Sequence, residues 1–407
     1  MTSRNSSERG IKTVRTRSSV KLPTALRRIW ALDDFQIAAK RHLPLPIYAY
    51  YASAVETKIT LRANRTDFDD YEFIPRFLVD TSKRDQSIEL FGKTYSAPFG
   101  IAPMGLTALA CFDGDVVMAK SAYAEGIPSV LSAASLNPME RVAKEGNGRW
   151  CQVYQPGDSD RIEAIIDRVT ECGFETLVLS VDVPVGGNPE NQLRYNFSSP
   201  IQPSFNLAWQ GITHPRWTIE TWLRTLITHG IPKFENMDAK PGPPILSKTL
   251  VRDMGERDRL NWKHVEQIRK RWKGNFIIKG ILAPEDAALS RECGADGIIV
   301  SNHGGRQLDS VQSAFRALPA MVNAAKDIPV MMDGGIRRGS DVLKAYALGA
   351  AFVFVGRPFL FAASIAGEEG IKHCSDLLKS EVNRNMALLG INSISKKTLE
   401  KVVVRKT

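Results

Sequence analysis

The sequence predicts an α/β fold: a single-domain (β/α)8 (TIM) barrel with a long insertion after strand four. Eight short apolar runs recur along the chain, and a helix-length segment separates most of them. Six of the seven intervals between successive runs are about 22 to 32 residues, the size of one βα unit. Near-continuous apolar strands that alternate with helices indicate a parallel sheet buried on both faces. Eight such units favour a closed barrel over an open sheet.

The predicted strands cover residues 98–104, 127–132, 150–155, 176–183, 275–280, 297–303, 329–335 and 351–356. Predicted helices between them include 161–172, 284–293 and 339–348, and residues 47–63 are predicted as a further helix before the first strand. Gly294 and Gly349 follow two of these helices, as expected for a residue at the helix C′ position.

The insertion follows from the spacing after the fourth strand, which is about 99 residues. About 70 residues, roughly 188–260, are therefore added at the strand end where barrels build active sites. Within them, five apolar side chains fall on one helical stripe: Ile219, Trp222, Leu223, Leu226 and Ile227. This stripe predicts either an interfacial helix that contacts a membrane or a helix packed over the barrel or in a subunit interface.

The charge is unevenly distributed along the chain. The protein has 54 basic and 44 acidic residues, a net charge of +10, and residues 1–28 hold eight basic side chains and one acidic one. We interpret 1–28 as a basic, disordered arm; membrane-surface attachment and organelle targeting remain alternatives. Residues 29–395 are predicted to form the barrel and 396–407 a C-terminal tail. Nucleic-acid binding is not expected, because no stacking platform or recognition motif accompanies the arm.

Two further classes of protein are disfavoured by composition. The longest near-apolar stretch, around 345–356, is about 12 residues, whereas a membrane span needs about 20, so no transmembrane helix is expected. The five cysteines are odd in number and lack a C-x-x-C pair. They indicate reduced thiols in a reducing compartment and no metal site.

Polar residues cluster where the predicted strands end, which is where barrel enzymes place their chemistry. The last two strands are followed by DGGIRRG at 333–339 and by VGRP at 355–358. Their glycines permit close backbone approach, and their arginines suit a phosphate monoester.

Several of these motifs together resemble the FMN-dependent 2-hydroxy-acid oxidases and dehydrogenases, over roughly residues 30–395. SNHGGRQLD at 301–309 is the most specific, and DGGIRRGSDVLKAYALG at 333–349 is similarly close. IIKGI, QVYQ and YAYYASA match as well. The resemblance implies FMN as cofactor, a secondary alcohol as substrate and a homo-oligomer, expected to be a tetramer. Together with the reduced cysteines and the apolar stripe of the insertion, this leads us to expect a protein on the cytoplasmic side that attaches peripherally to a membrane surface.

The resemblance also implies roles for single residues. His303 resembles the catalytic base, and Asp182 the carboxylate that orients it. Arg306 resembles the arginine that binds the substrate carboxylate, and Tyr50 and Tyr154 the two phenols that contact the substrate. The residues implied to bind the cofactor are Pro103, Met104, Gly105, Ser132, Gln152, Ser180, Lys279, Ser301, Asp333, Gly334, Gly335, Arg337, Gly356 and Arg357.

The sequence departs from the family at Pro189, which stands in VPVGGNPEN where a second substrate arginine is expected. Three interpretations stay open: a lactone, ester or amide substrate without a free carboxylate, a 2-hydroxy acid held by Arg306 alone, or an acid contacted by Arg194. Ala134 stands where a bulky tryptophan is found in related oxidases, which indicates room for a larger substrate.

Pro103-Met104-Gly105 carries glycine where the family's oxidases tend to have alanine. This favours a dehydrogenase that passes electrons to a quinone or another electron-transfer acceptor. An oxygen-using oxidase that forms hydrogen peroxide is the alternative within the family. A flavin-binding scaffold without turnover is the alternative from another class.

Overall fold

The computed structural model describes residues 22–247 and 256–406. At its centre are eight short strands, which we number β1 to β8 in chain order. They are Phe99–Ile101, Val130–Ser132, Trp150–Val153, Thr176–Ser180, Asn275–Ile281, Gly297–Val300, Val330–Asp333 and Phe352–Val355. Each lies within, or within one residue of, a predicted run.

The eight strands form one parallel sheet that closes on itself. Each pairs with its chain neighbour from β2 through β8, and β8 pairs with β1 through Val353 opposite Phe99. A parallel bridge between Ile101 and Ser129 completes the ring between β1 and β2. The predicted (β/α)8 barrel is therefore confirmed, and the strand C-termini meet at one end.

One helix follows each strand on the outside of the barrel. In order, these helices are Gly114–Ala124, Met139–Glu145, Ser159–Glu171, Trp262–Arg271, Pro284–Glu292, Ala314–Ala325, Gly339–Ala347 and Arg357–Leu389. The last is kinked at Ala366 and Gly367. The helices outside this series are Leu32–His42, Leu45–Ala52, Ile59–Thr66, Glu190–Leu193, Phe205–Thr213, Pro215–Trp217, Arg224–His229 and Lys396–Leu399. Shorter 3₁₀ turns cover Thr24–Leu26, Asp67–Asp70, Thr107–Leu109 and Arg257–Arg259, and Thr218–Leu223 is a π-helical turn.

The barrel interior is filled by side chains and is not a channel. Its buried residues come from β2 to β8 and from Ala102, directly after β1, and include Trp150, Ile277, Met331 and Phe352. At the N-terminal end a hairpin of strands Ile88–Leu90 and Lys93–Tyr95 packs against this interior. With this end closed by the hairpin, the functional groups collect at the other end.

Both ends of the described chain pack against the barrel. Residues 1–21 of the predicted arm lie outside the described residues, but Leu26 is fully buried, so the folded part begins before the predicted boundary at 29. Residues 396–406, predicted as a tail, contain a short helix and the strand Val403–Arg405. That strand pairs antiparallel with Tyr71–Phe73.

The predicted helix 47–63 is instead two helices, Leu45–Ala52 and Ile59–Thr66. The first ends where Arg306, from the loop after β6, and Arg357, the first residue of the helix Arg357–Leu389, bind the carbonyl groups at its end. Arg357 donates to the carbonyls of Tyr51 and Ser53 at 3.0 and 3.1 Å, and Arg306 donates to that of Tyr50. These interactions satisfy the helix C-terminus and also hold both arginines in place.

The insertion forms short helices beside the C-terminal end of the barrel. The indole of the buried Trp217 donates to the Leu109 carbonyl at 2.7 Å, and Thr221 and Thr225 also face inward. Seven large apolar side chains between 205 and 231 are instead exposed: Phe205, Trp209, Ile212, Ile219, Leu223, Ile227 and Ile231. Three members of the predicted apolar stripe therefore point away from the barrel.

Candidate functional site

A cavity of about 290 Å³ opens at the C-terminal ends of the strands. Most of the predicted site residues line it: Tyr50, Pro103, Met104, Gly105, Ser132, Gln152, Tyr154, Ser180, Lys279, His303, Arg306, Asp333, Gly334, Gly335, Arg337, Gly356 and Arg357. Asp182 and Ser301 do not line it but contact residues that do. The structure therefore brings the predicted residues together at one place.

His303 lies between a carboxylate and a phenol. Its Nδ1 is 3.0 Å from both Asp182 carboxylate oxygens, and its Nε2 is 3.2 Å from the Tyr154 hydroxyl oxygen. Burial disfavours the charged carboxylate, but His303 and then Lys279 outweigh burial and hold the pKa of Asp182 below its ordinary value. An ionised Asp182 fixes the proton on Nδ1, which leaves Nε2 as the basic nitrogen facing the cavity.

Local backbone geometry explains how these two side chains meet. His303 follows β6 in a left-handed conformation (φ 57°), and Gly304 and Gly305 continue the turn with positive φ. The backbone N–H of His303 donates to the Ser301 hydroxyl at 3.0 Å. Across from it, Gly280 makes room for Asp182, because a Cβ there would lie 2.3 Å from the Asp182 Cγ.

Arg306 and Tyr50 form a second polar pair in the cavity. The guanidinium carbon of Arg306 lies 4.6 Å from the centroid of the Tyr50 ring, and Phe197 stacks on that ring at 4.6 Å. This cation–π contact, together with the hydrogen bonds that Arg306 donates to the carbonyls of Tyr50 and Ser53, fixes a positive charge beside the phenol. A substrate carboxylate is the kind of group that such a guanidinium binds.

A buried ion pair in the cavity wall joins β5 to β7. The ammonium of Lys279 is 2.9 Å from an Asp333 carboxylate oxygen and donates to the Ser301 hydroxyl at 2.8 Å. Ser301 in turn donates to Asp333. The three side chains thus fix each other, and Lys279 places a cation at the cavity wall.

The loops after β7 and β8 form a strongly positive region. Burial, followed by the neighbouring Arg306 and Arg337, lowers the pKa of Arg357 to about 9. Burial, followed by Arg65, also lowers the pKa of Arg337. Arg337 is paired with Asp33 at 3.1 Å, whereas Arg357 donates to the carbonyls of Tyr51, Ser53 and Gly304, so a phosphate dianion bound here would place negative charge beside Arg357.

The glycines of the same region allow close packing. Gly335 has φ 81°, and a Cβ there would lie 1.8 Å from the Asn64 carbonyl oxygen. A side chain at this position would therefore displace the helix Ile59–Thr66.

Gln152 presents an amide to the interior of the cavity. Its Oε1 accepts from the Ser132 hydroxyl at 3.2 Å and from the Ala133 N–H at 3.3 Å. Its buried Nε2 has no hydrogen-bond partner among the described residues. An amide donor, the Lys279 cation and the phosphate-suited arginines fit a flavin mononucleotide, whose ring carries acceptor atoms and whose chain ends in a phosphate.

Two small residues, Gly105 and Ala134, form the cavity wall near β1 and β2. Gly105 approaches Ala134 so closely that a Cβ on the glycine would lie 2.8 Å from the Ala134 Cβ and 3.4 Å from the Tyr50 hydroxyl. Both small residues line the cavity. Ala134, which stands where related oxidases have a tryptophan, therefore lies in the cavity wall, and room for a larger substrate stays a prediction.

Pro189 also lines the cavity, so the second departure lies at the site as well. Arg194, considered in its place, does not line the cavity; its side chain is 68% exposed and lies 3.5 Å from Glu190.

Sequence reasoning missed Arg257, which does line the cavity. No motif or periodicity marks this residue, because it belongs to the irregular part of the insertion.

Within the described residues, no group of three or more histidine, cysteine, aspartate or glutamate side chains is arranged to hold a metal ion. Likewise, every helix in 22–247 and 256–406 falls short of the length and apolarity that a bilayer crossing requires.

Comparison with known proteins places this site in a family. A sequence model of the family described as FMN-dependent dehydrogenase matches residues 39–404. L-lactate dehydrogenase of Ectopseudomonas mendocina (strain ymp) is 39% identical over 380 residues, which are 92% of this chain and 99% of that protein. L-lactate dehydrogenase of Alcaligenes faecalis is 37% identical over 91% of this chain and 97% of its own length.

Solved structures agree. The monotopic membrane protein (S)-mandelate dehydrogenase superposes with a TM-score of 0.83 at 31% identity, covering 93% of this chain and all of that one. A mandelate oxidase with (S)-2-phenylpropionate superposes with a TM-score of 0.74 at 32% identity, covering 90% of this chain and 96% of the other. The chain therefore belongs to the FMN-dependent dehydrogenases, flavoenzymes that act on the CH–OH group of 2-hydroxy acids.

Proposed function

We propose that His303 removes a proton from the substrate while two electrons leave the substrate's α-carbon. The observation that carries this proposal is the placement of His303 between Asp182 at 3.0 Å and Tyr154 at 3.2 Å. Asp182 stabilises the imidazolium that forms, and the Tyr154 hydroxyl donates a hydrogen bond to the substrate oxygen once Nε2 of His303 has taken up the proton. FMN, when bound, supplies the two-electron acceptor.

Anaerobic mixing with a panel of compounds tests this function. L-lactate, (S)-mandelate and other 2-hydroxy acids, together with lactone and amide counterparts, are added and the flavin absorbance is followed. Bleaching by a 2-hydroxy acid or its derivative, with formation of the 2-oxo product, is the expected result. If no compound in the panel bleaches the flavin, the scaffold interpretation replaces the enzymatic one.

We further propose that electrons pass to a quinone or a similar acceptor and not to oxygen. Gly105 supports this proposal, because oxidases of the resembling family tend to carry alanine there. A quinone analogue should be reduced at least about tenfold faster than oxygen, a difference of about 1.4 kcal/mol in barrier. The rates of quinone reduction and of hydrogen peroxide formation are measured in the unaltered protein and in the Gly105→Ala variant. Peroxide formation by the unaltered protein at the rate of quinone reduction would favour the oxidase.

The insertion is proposed to rest on a membrane surface, on the cytoplasmic side. Its exposed apolar side chains support this, as does the likeness to a protein described as monotopic. The free state of all five cysteines is compatible with a reducing compartment. A homo-tetramer stays a prediction.

Replacing Ile212, Ile219 and Ile227 together with glutamine should lower binding to phospholipid vesicles by about tenfold or more, because apolar burial drives interfacial binding. These residues are 70%, 62% and 85% exposed, so folding should be unaffected. Vesicle flotation measures the bound fraction. The control replaces Ile37, Phe77 and Leu78, also exposed but outside the insertion. Equal loss in both triple variants would contradict the assigned surface.

A further inference from the structure

We propose that Arg257 binds the carboxylate of the substrate and so replaces the second substrate arginine that the family has where this chain has Pro189. The inference rests on the proposed oxidation of a 2-hydroxy acid and names its substrate class: a free 2-hydroxy carboxylate, not a lactone, ester or amide.

Arg257 reaches the cavity from the insertion. It begins the 3₁₀ turn Arg257–Arg259 and is only 5% exposed, yet it lines the cavity that contains His303. Its guanidinium carbon lies 4.6 Å from the centroid of the Tyr154 ring. Since the Tyr154 hydroxyl contacts His303, Arg257 stands one side chain away from the base.

The arrangement repeats the one at Arg306. There too a guanidinium lies 4.6 Å from a tyrosine ring, that of Tyr50. Each cation–π contact fixes an arginine beside a phenol of the cavity, and guanidinium groups bind carboxylates in bidentate fashion. The substrate end therefore has two positioned guanidinium groups, although position 189 holds none.

The charges of the cavity favour an anionic substrate. Arg337 and Arg357 lie in the loops after β7 and β8, where the phosphate of FMN would meet them. Arg257 and Arg306 lie instead beside the phenols near His303. A carboxylate near His303 offers anionic oxygens to both guanidinium groups, whereas a neutral amide or ester offers none.

The loop after β3 is shaped for this approach. A Cβ on Gly157 would lie 2.4 Å from the Glu256 carbonyl oxygen and 3.1 Å from the Arg259 Cβ. Glycine at 157 therefore lets the backbone that carries Arg257 come close to the loop that carries Tyr154. An alanine there would push Arg257 out of place without changing a charge.

Equilibrium binding of a matched pair of compounds tests the assignment. (S)-2-phenylpropionate and its neutral amide both lack the hydroxyl group, so neither is oxidised, and the flavin absorbance change reports their binding. The unaltered holoprotein should bind the acid more tightly. Arg257→Gln should lower the affinity for the acid by about tenfold to a hundredfold, the effect of one lost charged hydrogen bond. The affinity for the amide should stay within about twofold of that of the unaltered protein.

Four further variants sharpen the test. Arg257→Lys should bind the acid with intermediate affinity, and Pro189→Arg added to Arg257→Gln should restore it. Gly157→Ala should lower the affinity for the acid as Arg257→Gln does. Arg259→Gln is the control; it removes an exposed neighbour that pairs with Glu256 and should change nothing. Should Arg257→Gln fail to fold, the Arg257→Lys and Gly157→Ala proteins decide.

The proposal is overturned if the unaltered protein binds the amide as tightly as the acid, or fails to bind the acid. It is also overturned if Arg257→Gln, or Arg257→Lys and Gly157→Ala in its place, leaves acid affinity unchanged. Failure of the proposed oxidation has a different signature: 2-hydroxy acids would not bleach the flavin, whatever the binding constants of these two compounds.

Discussion

Replacing His303 with alanine is expected to lower the rate of flavin reduction by about 10²–10⁴-fold, the usual contribution of a general base. The flavin should stay bound, because the His303 side chain contacts Asp182 and Tyr154 and not the positive loops after β7 and β8. Anaerobic stopped-flow measurement of flavin bleaching by the best 2-hydroxy acid gives the rate, and the visible spectrum gives the flavin content.

His264→Ala is the matched control, since this histidine lies at the start of the helix Trp262–Arg271, outside the cavity. It should reduce the flavin at the normal rate. A His303→Ala protein that reduces its flavin at a rate near normal would remove His303 from the mechanism. One that loses its flavin would show that the residue supports the cofactor site instead.

The strands could be predicted because a parallel barrel buries them on both faces. Runs such as Phe352–Val355 are consequently apolar without alternation, and their polar ends mark the site. The sequence places His303 at the polar end of the sixth apolar run, its role as a base is implied by the resemblance of SNHGGRQLD, and the two glycines after it continue the turn with positive φ. Local sequence therefore carries enough information for both features.

Features that depend on distant contacts could not be predicted. The break between Leu45–Ala52 and Ile59–Thr66 arises because Arg306 and Arg357, some 250 to 300 residues later, bind the carbonyls at its start. Arg257 reaches the cavity because Gly157 admits the Glu256 carbonyl. Neither contact leaves a periodicity or spacing in the residues that make it, so only the folded chain reveals them.

Replacing Lys279 with methionine is expected to have two separable effects. Lys279 and Asp333 are 2% and 6% exposed and lie 2.9 Å apart, so losing the lysine leaves a buried carboxylate without its charge partner. Breaking one side of such a pair lowers the free energy of unfolding by about 3–5 kcal/mol. The same change removes a cation from the cavity wall and should weaken FMN binding and disfavour the reduced, anionic flavin.

The double variant Lys279→Met/Asp333→Asn separates the two effects. Because it removes both charges, the double variant should recover most of the lost free energy of unfolding, measured by urea denaturation of the flavin-free protein. Its affinity for FMN, measured by quenching of flavin fluorescence, should stay low. Lys120→Met is the control; its exposed partner Glu368 lies 2.7 Å away, and such surface pairs contribute about 0–1 kcal/mol. If the double variant regained normal FMN affinity, Lys279 would act on the flavin through Asp333 alone and not through its own charge.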